Sequence, residues 1–228
     1  MITINELSIS YRKNRNIIQS LNLDLQDSEI HGIVGLNGSG KTTLLNAIFG
    51  LKKVNSGTIR NEGEKLSKKE ISYLATENFF YSNITAKEYL ALFQNKDFDT
   101  NKWNELFNLP LEKIIDGFST GMKKKLAVMG TLKQNKPIMI LDEPFNGLDI
   151  ETNRIIRSVL LNLKEKGKTI IITSHIIETL TNLCDRIHYL EEGKIKHSKL
   201  KSEFAEFEKN IYKSIEEKNK NLISELTK

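Results

Sequence analysis

Cysteine is all but missing from these 228 residues, with Cys184 standing alone. A single thiol excludes an intramolecular disulfide and any cysteine-built zinc cluster, and it suits a reducing cytosol, its ordinary role being that of a small buried apolar residue. Long hydrophobic runs are missing as well. No uninterrupted apolar stretch approaches the roughly 20 residues that cross a bilayer, and the N-terminus lacks the apolar core of a signal peptide, so any membrane role is expected to come through a partner. An excess of one charge is missing too. The 34 basic residues sit among 29 acidic ones, and a net charge of +5 with a pI of about 9.1 permits nucleic acid or an anionic surface without implying either. Low-complexity linkers and internal repeats are absent. What remains is 39% hydrophobic residues, enough to fill the core of one large α/β domain, or of a domain with a small subdomain.

The chain is organised around Gly35-Leu36-Asn37-Gly38-Ser39-Gly40-Lys41-Thr42-Thr43. An apolar run, Ile30 to Val34, precedes it and suits a buried strand; Leu44 to Phe49 follows and suits a helix ending at Gly50. A strand, a glycine turn and a helix N-terminus make a phosphate cradle: curled backbone N–H groups and the helix dipole attract the anion, Lys41 supplies a mobile cation, and the Thr42 hydroxyl is placed for a magnesium ion.

Elsewhere Ile2 to Ser10 alternates apolar and polar residues with one slip near Asn5, and Leu21, Leu23 and Leu25 alternate similarly, predicting an antiparallel layer beside the cradle. Tyr11, expected in the loop between them, is either a stacking platform for an adenine or an exposed tyrosine without a ligand. Short strands are predicted at Ser56–Ile59 and at Ile71–Ala75. The segment from Asn83 to Asn135 then turns mostly helical, opened by the capping box Thr85-Ala86-Lys87-Glu88, and reads as an inserted helical subdomain. Asp116 to Met122 is a turn opening a basic helix over Lys123–Leu132, where Ser119 and Gly121 offer a second phosphate contact or an ordinary N-cap.

Pro137 to Leu141 has the apolar character of a central parallel strand and ends in Asp142-Glu143. In a phosphate-loop protein, carboxylates there have a use: Asp142 holds magnesium and Glu143 takes a proton from the water attacking a γ-phosphate. Asn146 to Asp149 is a turn, and Glu151 to Lys166 an amphipathic helix closed by Gly167. Lys168 to Thr173 is β-rich and leads to His175, which is positioned to touch that γ-phosphate, to orient the attacking water, or simply to serve the fold. Arg186 to Lys199 forms a closing hairpin, and Leu200 to Lys228 a charged, solvated helical tail.

Together these motifs resemble the ATP-binding cassette (ABC) ATPases from Ile2 to about Lys199. Gly35 to Thr43 is similar to the family's Walker A, Ile138 to Glu143 to Walker B, Phe118 to Met122 to the signature Leu-Ser-Gly-Gly-Gln, Asn146 to Asp149 to the D-loop, His175 to the switch histidine and Tyr11 to the adenine-stacking aromatic. The resemblance implies an α/β phosphate-loop core with a mainly parallel sheet, an N-terminal antiparallel layer and an inserted helical subdomain at about 77–135, in a nucleotide-binding domain spanning 1–199 ahead of the tail at 200–228. It further implies ATP and Mg2+ as cofactors, with Glu143 and His175 catalytic, Thr42 and Asp142 on the metal, and Tyr11, the loop from Gly35 to Thr43, Ser119 and Gly121 on the nucleotide.

The implied assembly is a head-to-tail dimer, a homodimer by expectation, with ATP at its interface. It would work with a polytopic membrane subunit on the inner face of the cell membrane, in an exporter, and without nucleic acid. The alternative is a soluble ABC ATPase acting as a mechanical switch on the ribosome or nucleic acid. Three features depart from the family pattern. The signature carries Thr120 and Met122 for Gly and Gln. The glutamine expected after Ile71–Ala75 is replaced by Thr76, Glu77 and Asn78, with Glu77 the candidate to supply its oxygen. The stretch from Thr76 to the signature is short.

Overall fold

The computed structural model describes residues 1–12 and 15–226. Its centre is a six-stranded sheet built from β3 (Ile30–Val34), β6 (Ile71–Leu74), β7 (Ile138–Asp142), β8 (Thr169–Ser174), β9 (Arg186–Glu191) and β10 (Lys194–Leu200), in the order β10-β9-β3-β8-β7-β6. All pairs are parallel except the hairpin β9–β10. Strands β3, β7 and β8 are buried along their whole length, which is why they read as unbroken apolar runs.

Alternation along these strands divides the core in two. Ile33, Ile138, Ile140 and Ile171 point to one face, where they meet the N-terminal layer and the helix α1 (Lys41–Ile48). Ile30, Met139, Leu141, Ile170 and Ile172 point to the other, against the helical region and the helix α5 (Ile150–Glu165).

The N-terminal layer is a second sheet, antiparallel, with β1 (Ile2–Arg12), β2 (Arg15–Leu25), β4 (Ser56–Asn61) and β5 (Glu64–Lys65) in the order β2-β1-β4-β5. The slip near Asn5 is a bulge: Glu6 has φ +49° and the register breaks between Ile4 and Leu7, which keeps Ile2, Ile4, Leu7 and Ile9 all in the core. Tyr11 lies in β1 rather than in a loop, because the ladder with β2 continues past it to the end of β1.

The inserted region carries α2 (Ala86–Ala91), α3 (Thr100–Phe107) and α4 (Thr120–Lys133). The capping box at its start is present in full: Glu88 N–H donates to Thr85 Oγ1 at 3.1 Å and Thr85 N–H to Glu88 Oε2 at 2.7 Å. At Gly130 a Cβ would lie 2.8 Å from the Phe93 ring and 3.0 Å from Tyr89, so glycine lets α4 approach the aromatic face of α2. The short helix α6 (Ile177–Thr181) follows β8, and α7 (Phe204–Leu226) ends the described chain. The tail is not solvated throughout. Phe204 and Phe207 are buried in the core, and Phe207 meets Tyr189 and His197 edge to face at 6.3 Å.

Candidate functional site

Sheet register assembles the site. Val34 pairs with Ser174 and Asp142 with Thr173, so β3, β7 and β8 deliver the glycine loop, Glu143 and His175 to the same carboxyl edge. There an open cleft of about 470 Å3 is lined by Asn37, Gly38, Gly40, Lys41, Thr42 and Thr43 from the loop, and by Asp142, Glu143 and His175 from the neighbouring strand ends. Ile17, Thr76 and Asn146 complete it, and of the residues replacing the expected glutamine it is Thr76, not Glu77, that lines the cleft.

Backbone geometry shapes the loop. Gly38 and Gly40 have φ +82° and +108°, and Gly40 starts α1 in a left-handed conformation that a side chain would disfavour. A Cβ on Gly35 would lie 2.2 Å from the Leu190 carbonyl oxygen, so the loop is seated directly on β9. The turn after β9 braces it further: Gly193 N–H donates to the Ser39 carbonyl at 3.3 Å. Leu36 is exposed at the tip of the loop, whereas the Ser39 hydroxyl is buried within it without a hydrogen-bond partner.

The charged groups are tightly organised. Lys41 Nζ donates to the Gly35 carbonyl at 2.7 Å and to the Leu36 carbonyl at 3.3 Å; burial lowers its pKa while Glu143 and Asp142 pull it back up. Thr42 Oγ1 donates to Asp142 Oδ2 at 2.7 Å, and Thr173 Oγ1 donates to Asp142 Oδ1. Thr173 Oγ1 also accepts the Glu143 N–H at 3.0 Å, so one buried hydroxyl orients both acidic residues. Glu143 itself sits at φ +49°, a left-handed conformation costing about 1–2 kcal/mol for a residue with a side chain. That turn aims its carboxylate at His175, whose Nδ1 is 3.1 Å from each oxygen.

The Thr42 hydroxyl and Asp142 carboxylate converge as all-oxygen donors, the set suited to a hard divalent cation that takes its other ligands from water and phosphate. Chemically the cleft offers a phosphate cradle, a cation and a carboxylate–histidine pair.

Of the residues expected at the nucleotide, Gly35, Leu36 and Ser39 within the loop and Tyr11, Ser119 and Gly121 outside it do not line the cleft. Tyr11 is 59% exposed; its hydroxyl is 3.5 Å from Thr43 Oγ1, and Lys52 Nζ lies 3.7 Å over its ring, so a stacking base would have to share that ring with a cation. Ser119 caps α4 by accepting the Met122 N–H at 3.2 Å, and Gly121 is packed so that its Cβ would be 3.2 Å from the Gly147 carbonyl oxygen. Neither lines the cleft of its own chain. Sequence reasoning missed Thr173, whose only local signal was a hydroxyl ending an isoleucine run.

Comparison with known proteins identifies the family. The family model described as ABC transporter matches residues 18–146. The ABC transporter ATP-binding protein YtrB of Bacillus subtilis is 30% identical over 238 residues, covering 96% of this chain and 81% of its own. The bacitracin transport ATP-binding protein BcrA of Bacillus licheniformis is 35% identical over 213 residues, covering 86% and 68%. A solved ATP-binding subunit of an ABC transporter superposes with a TM-score of 0.77 at 25% identity, over 88% of this chain and 90% of that one. The chain belongs to the ABC transporter family, as one of its ATP-binding and ATP-hydrolysing subunits.

Proposed function

We propose that two copies of this chain close head to tail over two ATP molecules, each bound with Mg2+, and thereby drive export through a separate polytopic membrane subunit. In each site Lys41 and the N–H groups of Gly38 to Thr43 meet the phosphates from one side, while Ser119 and Gly121 at the α4 N-terminus of the other copy meet the γ-phosphate. This accounts for Ser119 and Gly121 standing outside the cleft of their own chain. Thr42 and Asp142 would hold the Mg2+, which would supply positive charge to the phosphates.

Glu143 then acts as general base toward the attacking water, and His175 orients the Glu143 carboxylate and the γ-phosphate. The observation that carries this reading is the Glu143–His175 pair, both carboxylate oxygens 3.1 Å from Nδ1, set at the mouth of the phosphate loop. Hydrolysis removes the anion that bridges the copies and lets them part.

Among the described residues no helix is long and apolar enough to cross a membrane; in the proposed transporter the membrane passage belongs to the partner subunit. Phe79 and Tyr81, 80% and 59% exposed and edge to face at 5.6 Å, offer a segment of that partner an aromatic foothold. The bacitracin transport role in BcrA's name supports a hydrophobic or peptide-like cargo.

The test is Glu143→Gln. It removes the base and leaves the phosphate contacts, so turnover should fall by about 100-fold or more while ATP traps a dimer resolved by gel filtration. Hydrolysis at the rate of the unsubstituted chain would refute the assignment of Glu143. Purification from solubilised membranes should bring down a polytopic membrane protein in near-equal amount.

A further inference from the structure

Among the described residues only two lysines are buried, Lys41 in the phosphate loop and Lys124 in α4. Lys124, 6% exposed, has no part in the chemistry outlined above. Burying an ammonium is costly unless something receives it. Its Nζ lies 3.5 Å from the carbonyl oxygens of both Ala75 and Thr76, the two residues that follow β6. Because Leu74 pairs with Leu141, Ala75 leaves the sheet beside Asp142, and Thr76 reaches the cleft wall. Asp142 and Glu143 both act on the Lys124 charge, opposing the effect of its burial. The same helix is tied to the turn after β7: Lys125 Nζ is 3.5 Å from Asp149 Oδ2, and Gly121 is packed against Gly147.

We propose that Lys124 is a positioning residue of the ATPase, holding the Ala75–Thr76 segment at the rim of the cleft, beside the strand end that carries Asp142, so that the placement of α4 reaches the catalytic carboxylates. The proposal rests on the ATPase reading of this cleft. It explains why a lysine occupies a site that an apolar side chain of the same length would fill at lower desolvation cost. It also gives α4 two roles: its N-terminus serves the nucleotide of the neighbouring copy, and Lys124 serves the site of its own chain.

The test uses Lys124→Met, Lys124→Gln and Lys124→Arg in the full chain, with three readouts: ATP hydrolysis at saturating Mg2+ and ATP, equilibrium binding of a fluorescent ATP analogue, and hydrogen exchange of the amides from Ala75 to Tyr81. In the Met and Gln variants kcat should drop about tenfold, the size of one lost charge-assisted contact, with affinity held within about twofold. Exchange over Ala75–Tyr81 should quicken several-fold in both, and Arg should recover most of the rate.

A purely structural lysine predicts the reverse for Met, a chain as stable or more stable with kcat intact. Should Met prevent folding, Gln carries the test. A kcat within about twofold of the unsubstituted chain, a fall in affinity matching the fall in kcat, or unchanged exchange over Ala75–Tyr81 overturns the proposal. Absence of hydrolysis by the unsubstituted chain would count against the ATPase reading alone, and the exchange readout still decides on Lys124.

Discussion

Thr173→Val asks whether two carboxylates depend on one hydroxyl. Thr173 is fully buried, donates to Asp142 Oδ1 and accepts the Glu143 N–H at 3.0 Å. Valine keeps the volume and the β-branch of the strand residue but removes both bonds. The Glu143 N–H is left buried without a partner and Asp142 loses a charge-assisted bond, each worth about 1–3 kcal/mol, for a combined cost of about 3 kcal/mol. At about 2–4 °C of Tm per kcal/mol for a chain of this size, the melting midpoint should fall by roughly 6–12 °C. Thermal unfolding followed by circular dichroism measures this directly. Activity should fall further than stability alone requires: Glu143 is held at φ +49° by its surroundings, and loosening it misplaces the proposed general base relative to His175. A fall of about tenfold in kcat at constant ATP affinity is expected below the melting transition, with Thr173→Ser restoring both properties. A valine variant that melts within about 2 °C of its parent would refute the reasoning, since the two bonds would then contribute nothing.

Acid should weaken the fold through a buried histidine pair. His31 Nδ1 and His188 Nε2 are 3.2 Å apart, with the Gln26 carbonyl 2.9 Å from His31 Nε2 and Ser198 Oγ 2.8 Å from His188 Nδ1, a chain that uses all four ring nitrogens when both rings are neutral. Burial lowers both pKa values, that of His188 to about 3, below the unfolded value of about 6.5. The unfolded chain therefore binds more protons over this window, so stability is full above about pH 6.5 and is lost as pH falls toward 3, at about 1.4 kcal/mol per unit for His188 near pH 5. Urea midpoints compared at about pH 7.5 and about pH 5 check this, and equal midpoints would contradict it. Lys41→Ala should weaken binding of a fluorescent ATP analogue by about 10–100-fold, the size of a lost charge-assisted phosphate contact, and unchanged affinity would remove Lys41 from the cradle.

The parts of this protein legible in its sequence are those whose causes are local. Gly35 to Thr43 declares a phosphate loop because glycine freedom, a helix start and a lysine must all fall within nine residues. Thr85 and Glu88 announce a helix because a capping box closes within one turn. The buried strands Ile30–Val34, Ile138–Asp142 and Thr169–Ser174 show as apolar runs because both faces are covered. What the sequence could not show depends on which strand lies beside which. Nothing near Thr173 says that β8 will be laid against β7 with this threonine opposite Asp142, yet that register creates its role. Lys124 reads as one of three consecutive lysines on a basic helix; only the docking of α4 over the end of β6 buries it while Lys123 and Lys125 stay partly exposed. Phe204 and Phe207 likewise look sparse on a charged tail until the β9–β10 hairpin supplies Tyr189 and His197 for Phe207 to pack against. The proposed phosphate cradle was therefore legible from one segment, whereas Thr173 and Lys124, which pack around the proposed catalytic carboxylates, belong to contacts between segments tens of residues apart. Substitutions at Thr173 and Lys124 thus probe the long-range packing of the site, and those at Lys41 and Glu143 probe its local chemistry.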